Sequence, residues 1–529
     1  MIVVGAGVAG ALAAAGLAEQ GVKVLVLEAG PTMDRQAGVA TYRANPVRVP
    51  ESAYPDVAYA PRPTVVAPDG YYVQAGPDDF KSTYERRVGG STWHWLGTAL
   101  RLLPNDFRLR SRYGVGVDWP ISYDDLEPWY GRAEDALGVA GRDAPGLMAP
   151  RSTPYPMPPI PHSYMDEVVA RAAAKLGLTV DATPQARNSV ERDGRPPCCG
   201  NSICIPICPI GAKYDATVHV KKAVAAGARL VPSAVVVDVQ LDAAGARVTY
   251  RPGGGDPVTV TGRTLVLAAN AIETAKLMLM SASEAQPGGL GNGADQVGRH
   301  LMDHPIQLSW ALAPEPTYPY RGPLSTGGVE SVRDGAFRRE RAAFRLEIQN
   351  PGWSFPKGDP TAQAVAWAAG EPLGEAGFAR FSDRLLRQVC LTGATEPLPL
   401  PENRVQLARE RDAIGVPRPR LSYRPGEYSD RGRAAARLLF TRIFRAMGAT
   451  EIQHDPRFEG AGHLMGTTRM GDDPRASVVD RDLRLHGHRN CFVLGAGVFP
   501  SVGTANPTLT IAALSLRAVD PVRASLTGG

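Results

Sequence analysis

A glycine-rich turn near the start of the chain constrains the fold more than any other feature of the sequence. Gly5, Gly7 and Gly10 form a G-x-G-x-x-G turn between an apolar run that predicts a strand and an alanine-rich run that predicts a helix. Such glycines allow a tight turn and close approach to a pyrophosphate, which the helix N-terminus then faces. Glu28 ends a second predicted strand, 18 residues after Gly10, where a carboxylate can bond ribose hydroxyls. The sequence therefore predicts a β-α-β unit that binds a dinucleotide, either FAD or NAD, rather than a purely structural turn.

The composition is that of an ordinary folded protein with many loops. Of the 529 residues, 44% are hydrophobic and 21% are charged, and the 57 glycines and 47 prolines stay below the share typical of low-complexity chains. The net charge of +5 is not concentrated in a basic stripe, so nucleic-acid binding is not expected. We expect no membrane span, because no apolar run reaches about 20 residues. We expect no secretory signal, because the N-terminus lacks a basic segment.

Hydrophobic periodicity predicts two kinds of structure along the rest of the chain. The region 31–160 is rich in loops, and short alternating segments at 306–450 suit an antiparallel sheet. A strand is expected at 228–240 and buried strands at 263–269 and 491–494. Helices are expected at about 163–178, 217–225, 272–281, 429–447 and 509–519.

A cluster of cysteines predicts a second cofactor. Four of the six cysteines, Cys198, Cys199, Cys204 and Cys208, fall within eleven residues, and Cys208 is followed by proline. Thiolates hold iron–sulfur clusters, and a terminal Cys-Pro recurs in ferredoxin-type loops. Because adjacent cysteines are not expected to face one cluster together, three ligands remain, which favours a 3Fe–4S cluster. A structural zinc ion, usually held by paired C-x2-C spacings, and disulfides in an exported protein are the alternatives.

The two remaining cysteines, Cys390 and Cys491, stand alone in the sequence and are expected to be buried packing thiols.

Four further segments combine glycine or small residues with a predicted strand or turn. They read RRVGGSTWHW at 86–95, ANAIET at 269–274, GRHLMDHP at 298–305 and GTANPTLT at 503–510. Together with the opening turn, and in this order, they resemble the glucose-methanol-choline (GMC) oxidoreductase family over nearly the whole chain. This resemblance implies FAD as the dinucleotide. It also implies an α/β (α+β) fold with a Rossmann-like FAD-binding lobe and a mainly antiparallel substrate lobe.

The resemblance also implies how the chain is divided. The FAD-binding lobe would comprise 1–160, 216–305 and 455–529, with an iron–sulfur loop at 185–215 and a substrate-binding lobe at 306–454. The residues expected at the flavin are Gly5, Gly7, Gly10, Glu28, Gly89, Gly90, Ser91, His94, Asn270, Ala496, Pro507 and Thr508. His94 precedes Trp95, as in relatives that attach the flavin covalently, and packing against the flavin without a bond is the alternative.

Two residues match the catalytic pair of the family. A hydride leaves an alcohol carbon only if a base takes the hydroxyl proton, and a neutral histidine suits that role. The resemblance implies that His463 accepts this proton while Asn506 holds the hydroxyl by a hydrogen bond. His304, in the matched segment 298–305, is expected to be structural.

Within the GMC family, the cysteine loop resembles that of the large subunits of bacterial FAD-dependent glucose dehydrogenases and related gluconate and fructose dehydrogenases. This resemblance implies that Cys198, Cys204 and Cys208 hold a 3Fe–4S cluster. It also implies two partners, a small chaperone-like subunit and a multihaem cytochrome c subunit. The cytochrome would provide the only membrane contact, at the periplasmic face of the inner membrane, whereas an unpartnered chain would be cytoplasmic.

The expected function is oxidation of a sugar hydroxyl, at C1 of glucose or on a related aldose or sugar acid. Electrons would pass from FAD through the cluster to the cytochrome. An oxidase that gives its electrons to oxygen is the first alternative. A flavin-carrying electron-transfer or structural subunit without its own substrate is the second, which the presence of both His463 and Asn506 disfavours. No residue at 306–450 identifies the sugar.

Overall fold

The computed structural model describes residues 1–46, 49–143, 149–351, 365, 369–370 and 374–527. Short parts of the predicted FAD-binding and substrate lobes therefore lie outside the described residues. The helices are α1 (Val8–Glu19), α2 (Arg35–Ala44), α3 (Leu109–Tyr113), α4 (Tyr123–Leu137), α5 (Tyr164–Ala174), α6 (Thr217–Ala225), α7 (Ala271–Met280), α8 (Glu375–Leu386), α9 (Glu427–Met447), α10 (Thr508–Arg517) and α11 (Val519–Thr527).

Most of the strands of the described chain are short. They are β1 (Ile2–Val4), β2 (Leu25–Leu27), β3 (Val73–Gln74), β4 (Asp181–Ala182), β5 (Arg229–Val231), β6 (Ala234–Leu241), β7 (Ala246–Pro252), β8 (Val258–Gly262), β9 (Leu265–Leu267), β10 (Pro305–Leu312), β11 (Gly327–Val329), β12 (Phe344–Gln349), β13 (Gln388–Thr395), β14 (Arg404–Arg411), β15 (Pro417–Ser422), β16 (Thr450–His454), β17 (Glu459–Gly460) and β18 (Cys491–Val493).

A five-stranded parallel sheet carries the glycine turn. Its strand order is β18-β9-β1-β2-β5, and every neighbouring pair is parallel. Helix α1 packs against α6 and α10, and its many alanines are buried because small side chains let the helix lie close to its neighbours. Since β18 and β1 come from distant parts of the chain, the sheet joins separate segments. This arrangement confirms the predicted Rossmann-like lobe.

A larger antiparallel sheet forms the second lobe. Its order is β16-β10-β13-β12-β11-β4, and β17 also pairs with β10. On β12, Phe344, Leu346 and Ile348 pack with α5 and α9 in one apolar cluster. Because side chains alternate along a strand, the intervening residues of β12 face away from these helices. The sheet also includes β4 and β17, which lie outside the range 306–454 expected for this lobe.

Residues 228–240 form two strands instead of the single one expected. β5 ends at Val231, and β6 begins at Ala234 in a separate antiparallel sheet with β7 and β8. The break falls at Pro232, which has no backbone N–H to donate, and at Ser233, whose φ of 55° is left-handed. The chain therefore leaves the parallel sheet at this point. A last small sheet, β14-β15-β3, brings β3 beside two strands from a distant part of the chain.

Among the described residues, no helix is both long enough and apolar enough to cross a membrane.

Candidate active site

A cavity of about 1230 Å³ runs from the glycine turn to the antiparallel sheet. Gly7 and Glu28 line this cavity, and so do His463, Asn506 and Glu347. Cavities that bind small molecules typically measure about 300–1,000 Å³. The cavity is therefore large enough for a dinucleotide together with a substrate.

The three glycines of the opening turn differ in what surrounds them. A Cβ on Gly5, whose φ is +104°, would lie 2.6 Å from the carbonyl oxygen of Ala268, and one on Gly10 would lie 2.0 Å from that of Gly5. Both positions therefore require glycine for packing. A Cβ on Gly7 would meet nothing within 4 Å, and Gly7 lines the cavity at the N-terminus of α1. This open space fits a pyrophosphate.

Glu28 lies buried beside this turn. Its two carboxylate oxygens accept hydrogen bonds from the backbone N–H groups of Ala6, at 2.8 Å, and Gly30, at 3.0 Å. Burial raises the pKa of Glu28, although these two bonds oppose the shift. The carboxyl group thus holds the turn and also lines the cavity. Its contact with a ribose stays a prediction.

The predicted flavin loop is attached to the glycine turn. The N–H of Gly89 donates to the carbonyl oxygen of Ala6 at 3.0 Å, and a Cβ on Gly90 would lie 3.2 Å from the Cα of Gly7. The two glycine segments therefore face each other. Gly90 and Ser91 line the cavity.

His94, in the same loop, also lines the cavity and is buried. Burial, together with the nearby charge of Lys213, lowers the pKa of His94 to about 3, so its ring is neutral. Its Nδ1 has no hydrogen-bond partner among the described residues. A neutral ring nitrogen left free beside the cavity suits either a covalent bond to a flavin or packing against one.

The remaining predicted flavin residues also lie on the cavity wall. Ala496, Pro507 and Thr508 line it, the last two at the N-terminus of α10. Asn270 lines it as well, and its Oδ1 caps α7 by accepting hydrogen bonds from two backbone N–H groups, both at 3.0 Å. The structure thus gives Asn270 a capping role that the sequence analysis did not assign.

The predicted catalytic pair lies together in the cavity. Nδ2 of Asn506 is 3.3 Å from Nε2 of His463. Burial lowers the pKa of His463 well below its ordinary value, and the neighbouring ring of His304 adds to the shift. The imidazole is therefore neutral at neutral pH, as a proton acceptor must be.

Two neighbours of His463 were not predicted to act in the site. From the sequence, His304 was expected to be structural and Asp303 was not singled out. The ring of His304 contacts that of His463 with 2.8 Å between their Nδ1 atoms. Asp303 accepts a hydrogen bond of 3.1 Å from the backbone N–H of His463 and another from the hydroxyl of Ser82. Burial raises the pKa of Asp303 to about 7. Asp303 and His304 belong to the segment 298–305, so the signal that could have found them was present in the sequence.

Polar side chains of the antiparallel sheet also line the cavity. Glu347 and Gln349 of β12 lie on the cavity together with Thr392 of β13, which is directly opposite Glu347 in the register. The carboxylate of Glu347 accepts from Arg345 at 2.7 Å and from Gln349 at 3.1 Å. None of these residues was predicted from the sequence to belong to the site, although alternation along β12 places Glu347 and Gln349 on one face.

The cysteine loop lies beside the flavin loop. Cys204 and Cys208 are buried, Cys198 is half-buried, and Cys199 is exposed. Burial raises the pKa of Cys198, and the thiol groups of Cys204 and Cys208 act in the same direction, so the three are electrostatic neighbours. All are free thiols, and no disulfide joins them.

Each of the three thiols predicted as ligands has an N–H group close to its sulfur. The distances to Sγ are 3.4 Å from Gly200 N to Cys198, 3.1 Å from an Arg187 nitrogen to Cys204 and 3.5 Å from Lys213 N to Cys208. Over the part of the chain that the structure describes, no three His, Cys, Asp or Glu side chains form a group that could hold a metal ion. The loop therefore offers the donor chemistry of an iron–sulfur cluster without a converged metal site.

Two buried cations lie next to these thiols. Nε and Nη1 of Arg187 have no hydrogen-bond partner among the described residues, and its third nitrogen contacts Cys204 Sγ. The ammonium group of Lys213 donates hydrogen bonds to three backbone carbonyl groups, and burial lowers its pKa to about 8. An anionic group held by the thiolates would offset this buried positive charge.

Comparison with known proteins identifies the class. Models of the GMC oxidoreductase family match residues 86–306 and 399–515, and a model described as an NAD(P)-binding Rossmann-like domain matches residues 3–45. The chain belongs to the GMC oxidoreductase family. It is an FAD-dependent oxidoreductase, since the GMC and Rossmann-like domains and the open glycine turn all support FAD binding.

Individual proteins are similar over at least nine-tenths of their lengths. The fructose dehydrogenase large subunit of Gluconobacter japonicus is 39% identical, with 100% of this chain and 98% of that protein covered. Paromamine 6'-oxidase of Streptomyces fradiae is 30% identical over 99% of this chain and 91% of its own. Among solved structures, pyridoxine 4-oxidase from Mesorbium loti superposes with a TM-score of 0.62 at 21% identity, covering 99% of both chains. This last likeness concerns the fold alone.

Proposed function

We propose that the protein is the catalytic subunit of an FAD-dependent dehydrogenase that oxidises a sugar hydroxyl, at C1 of glucose or on a related aldose or sugar acid. The observation that carries the proposal is the His463–Asn506 pair, which lies in one cavity with the glycine turn. FAD, when bound, supplies the acceptor for the hydride that leaves the alcohol carbon.

The chain's own residues supply proton transfer and orientation. His463 accepts the hydroxyl proton at Nε2, because burial keeps its ring neutral. Asn506 donates a hydrogen bond from Nδ2 to the hydroxyl oxygen and so directs the carbon–hydrogen bond. The backbone N–H groups in the first turn of α10, which begins at Thr508 on the cavity wall, favour negative charge in this part of the cavity.

The wall formed by the antiparallel sheet supports a substrate with several hydroxyl groups. Glu347, Gln349 and Thr392 together present a carboxylate, an amide and a hydroxyl to the cavity. A simple alcohol would displace water from these groups without replacing its hydrogen bonds, which is unfavourable. A sugar would satisfy them. The similarity to a fructose dehydrogenase large subunit also supports a sugar, without favouring glucose over other sugars.

The proposal includes a 3Fe–4S cluster held by Cys198, Cys204 and Cys208. Its support is the three neighbouring thiols with N–H groups close to their sulfurs, together with the buried cations Arg187 and Lys213 beside them. Hydrogen bonds to sulfur and local charge are the features by which proteins tune such clusters. The cluster would supply one-electron transfer out of the protein.

We further propose that a small chaperone-like subunit and a multihaem cytochrome c subunit are the partners. The relative from Gluconobacter japonicus is itself described as a large subunit, which supports an assembly. The complex would lie at the periplasmic face of the inner membrane, anchored through the cytochrome, whereas a chain without partners would stay in the cytoplasm.

A GMC oxidase is the second candidate function. Its support is the 30% identity to paromamine 6'-oxidase. An oxidase gives its electrons directly to oxygen, so it has no need of a cluster or a cytochrome. The two candidates therefore differ in how the reduced protein is reoxidised.

Anaerobic mixing of the flavin-loaded protein with a panel of sugars tests the proposal. Glucose, related aldoses, sugar acids and fructose should be compared, and at least one should bleach the flavin absorbance. The proposal fails if none does so while the protein is folded and fully loaded. Oxygen or an artificial one-electron acceptor is then admitted, and faster reoxidation by oxygen would favour the oxidase.

A further inference from the structure

We propose that His304 is a positioning residue that fixes the tautomer of His463, so that the unprotonated nitrogen of His463 always faces Asn506. This inference deepens the proposed function and rests on it, because it assigns the proton acceptor of that reaction to one atom. Two hydrogen bonds in series carry the argument.

The series begins at a backbone carbonyl group. Nε2 of His304 lies 3.1 Å from the carbonyl oxygen of Gly503. A carbonyl oxygen can only accept a hydrogen bond, so Nε2 of His304 must carry the proton. Burial lowers the pKa of His304 to about 4, and a neutral imidazole carries a single N–H. Nδ1 of His304 is therefore unprotonated and acts as an acceptor.

The second hydrogen bond determines which nitrogen of His463 carries the proton. Nδ1 of His304 lies 2.8 Å from Nδ1 of His463, and the two rings are nearly perpendicular, at 88°. Since the His304 nitrogen accepts, the His463 nitrogen must donate. His463 then carries its proton on Nδ1, which leaves Nε2 with a lone pair directed at Asn506.

The hydrogen bond from Nδ1 of His463 to Nδ1 of His304 persists after proton transfer. When His463 takes a proton at Nε2, its Nδ1–H still donates to His304, so the imidazolium keeps a hydrogen-bond partner. A neutral histidine thus orients the base, a role that a carboxylate fills in many enzymes. The other ionisable groups nearby play different parts. Asp303 accepts from the backbone N–H of His463, and Glu347 and Lys81 lie on the wall of the same cavity.

The tautomer can be observed directly by nitrogen-15 NMR of the flavin-loaded, oxidised protein with labelled histidine. The signals of His463 are identified by their loss in His463→Gln. In the unchanged protein we expect Nδ1 of His463 to be protonated and Nε2 to be unprotonated. A proton on Nε2 of His463 would overturn the inference, whatever substrate the enzyme uses.

Two variants of His304 test the consequence for turnover. His304→Leu removes the acceptor, so both tautomers of His463 should be populated. The rate of flavin reduction should then fall by about 10- to 100-fold, part of the 10²–10⁴ that a general base contributes. His304→Asn offers an amide oxygen near the position of Nδ1 and should restore the single tautomer and most of the rate. An unchanged tautomer and rate in His304→Leu would contradict the inference.

His300 provides a matched control in the same segment. It is buried, its Nδ1 lies 2.9 Å from the carbonyl oxygen of Pro399, and it does not line the cavity. Its φ of 64° suits asparagine, so His300→Asn should leave both the tautomer and the rate unchanged. If no sugar reduces the flavin in the unchanged protein, the proposed function fails, whereas the NMR result still decides the tautomer. If His304→Leu does not fold, the unchanged protein and His304→Asn decide it.

Discussion

The ammonium group of Lys213 donates a hydrogen bond of 2.9 Å to the carbonyl oxygen of Cys204. The same group donates to the carbonyl oxygen of Trp93, also at 2.9 Å, and Trp93 directly precedes His94. One buried side chain therefore holds the cysteine loop against the flavin loop. Under the proposed function, this contact fixes how closely the two redox centres approach each other.

Binding of FAD should depend on the open space at Gly7. Gly7→Ala should fold normally, because the added Cβ meets no atom within 4 Å, but its methyl group would enter the space assigned to the pyrophosphate. The dissociation constant of FAD should rise, which titration of the apoprotein by flavin fluorescence measures. Gly293→Ala is the control, since that exposed position is equally open. Equal affinity in both variants would contradict the assignment.

Removal of the base should lower turnover without loss of the flavin. In His463→Ala, the rate of flavin reduction should fall by about 10²–10⁴-fold, the usual contribution of a general base. Asn506→Ala should lower it less, because a hydrogen bond to the hydroxyl is lost while the base remains. Stopped-flow absorbance measures both rates. Near-normal turnover in His463→Ala at neutral pH would show that another group takes the proton.

The reaction should tolerate mild acid. Burial holds the pKa of His463 well below 6.5, so the neutral base persists as the pH falls through 6.5 and is lost only well below it. The rate of flavin reduction at saturating sugar should therefore stay level from pH 8 to about 6. Burial raises the pKa of the neighbouring Asp303 to about 7, so the profile is also measured in Asp303→Asn. A fall in rate with its midpoint at pH 6.5 or above in both proteins would conflict with a buried base.

Glu347 should contribute to substrate affinity. Glu347→Gln removes a charged acceptor from the cavity wall, and hydrogen bonds to charged groups contribute about 1.5–3 kcal/mol. KM for the sugar should rise by about 10-fold or more with a smaller change in kcat, since the pair of His463 and Asn506 is untouched. Arg345 keeps its bond to Glu330, so the fold should be retained. Steady-state kinetics separate the two constants, and an unchanged KM would remove Glu347 from the substrate site.

Loss of one thiol should separate sugar oxidation from electron delivery. Cys204→Ser should lose iron, the paramagnetic signal of a three-iron cluster and the transfer of electrons to a cytochrome c. Flavin reduction by sugar should persist, because it depends on His463. Cys199→Ser is the matched control, since Cys199 is exposed and should not be a ligand. Zinc in place of iron, or full-rate transfer in Cys204→Ser, would refute the cluster.

Local patterns in the sequence predict the helices and strands that carry the glycine segments. They did not predict α4, whose buried residues Leu126, Tyr130 and Leu137 are separated by charged residues and Pro128. Its capping box, between Ser122 and Asp125, was a signal that could have revealed it.

Contacts between distant residues explain most of what the sequence could not predict about the site. His304 and His463 are 159 residues apart, and their ring contact depends on the packing of two distant segments of the chain. The wall with Glu347 and Thr392 likewise depends on the pairing of β12 with β13. The hydrophobic periodicity within a single segment does not show which distant segment it contacts. The resemblance to the family predicted His463 and Asn506, whereas the residues that orient them were identified only from the fold.

The cavity wall has a consequence for how the protein is made. The wall begins with Gly5 and Gly7 and is completed by Ala496, Asn506 and Thr508. During translation the glycine turn leaves the ribosome long before the residues that face it across the cavity. A growing chain can therefore touch the cofactor early but cannot enclose it until Ala496, Asn506 and Thr508 have been made.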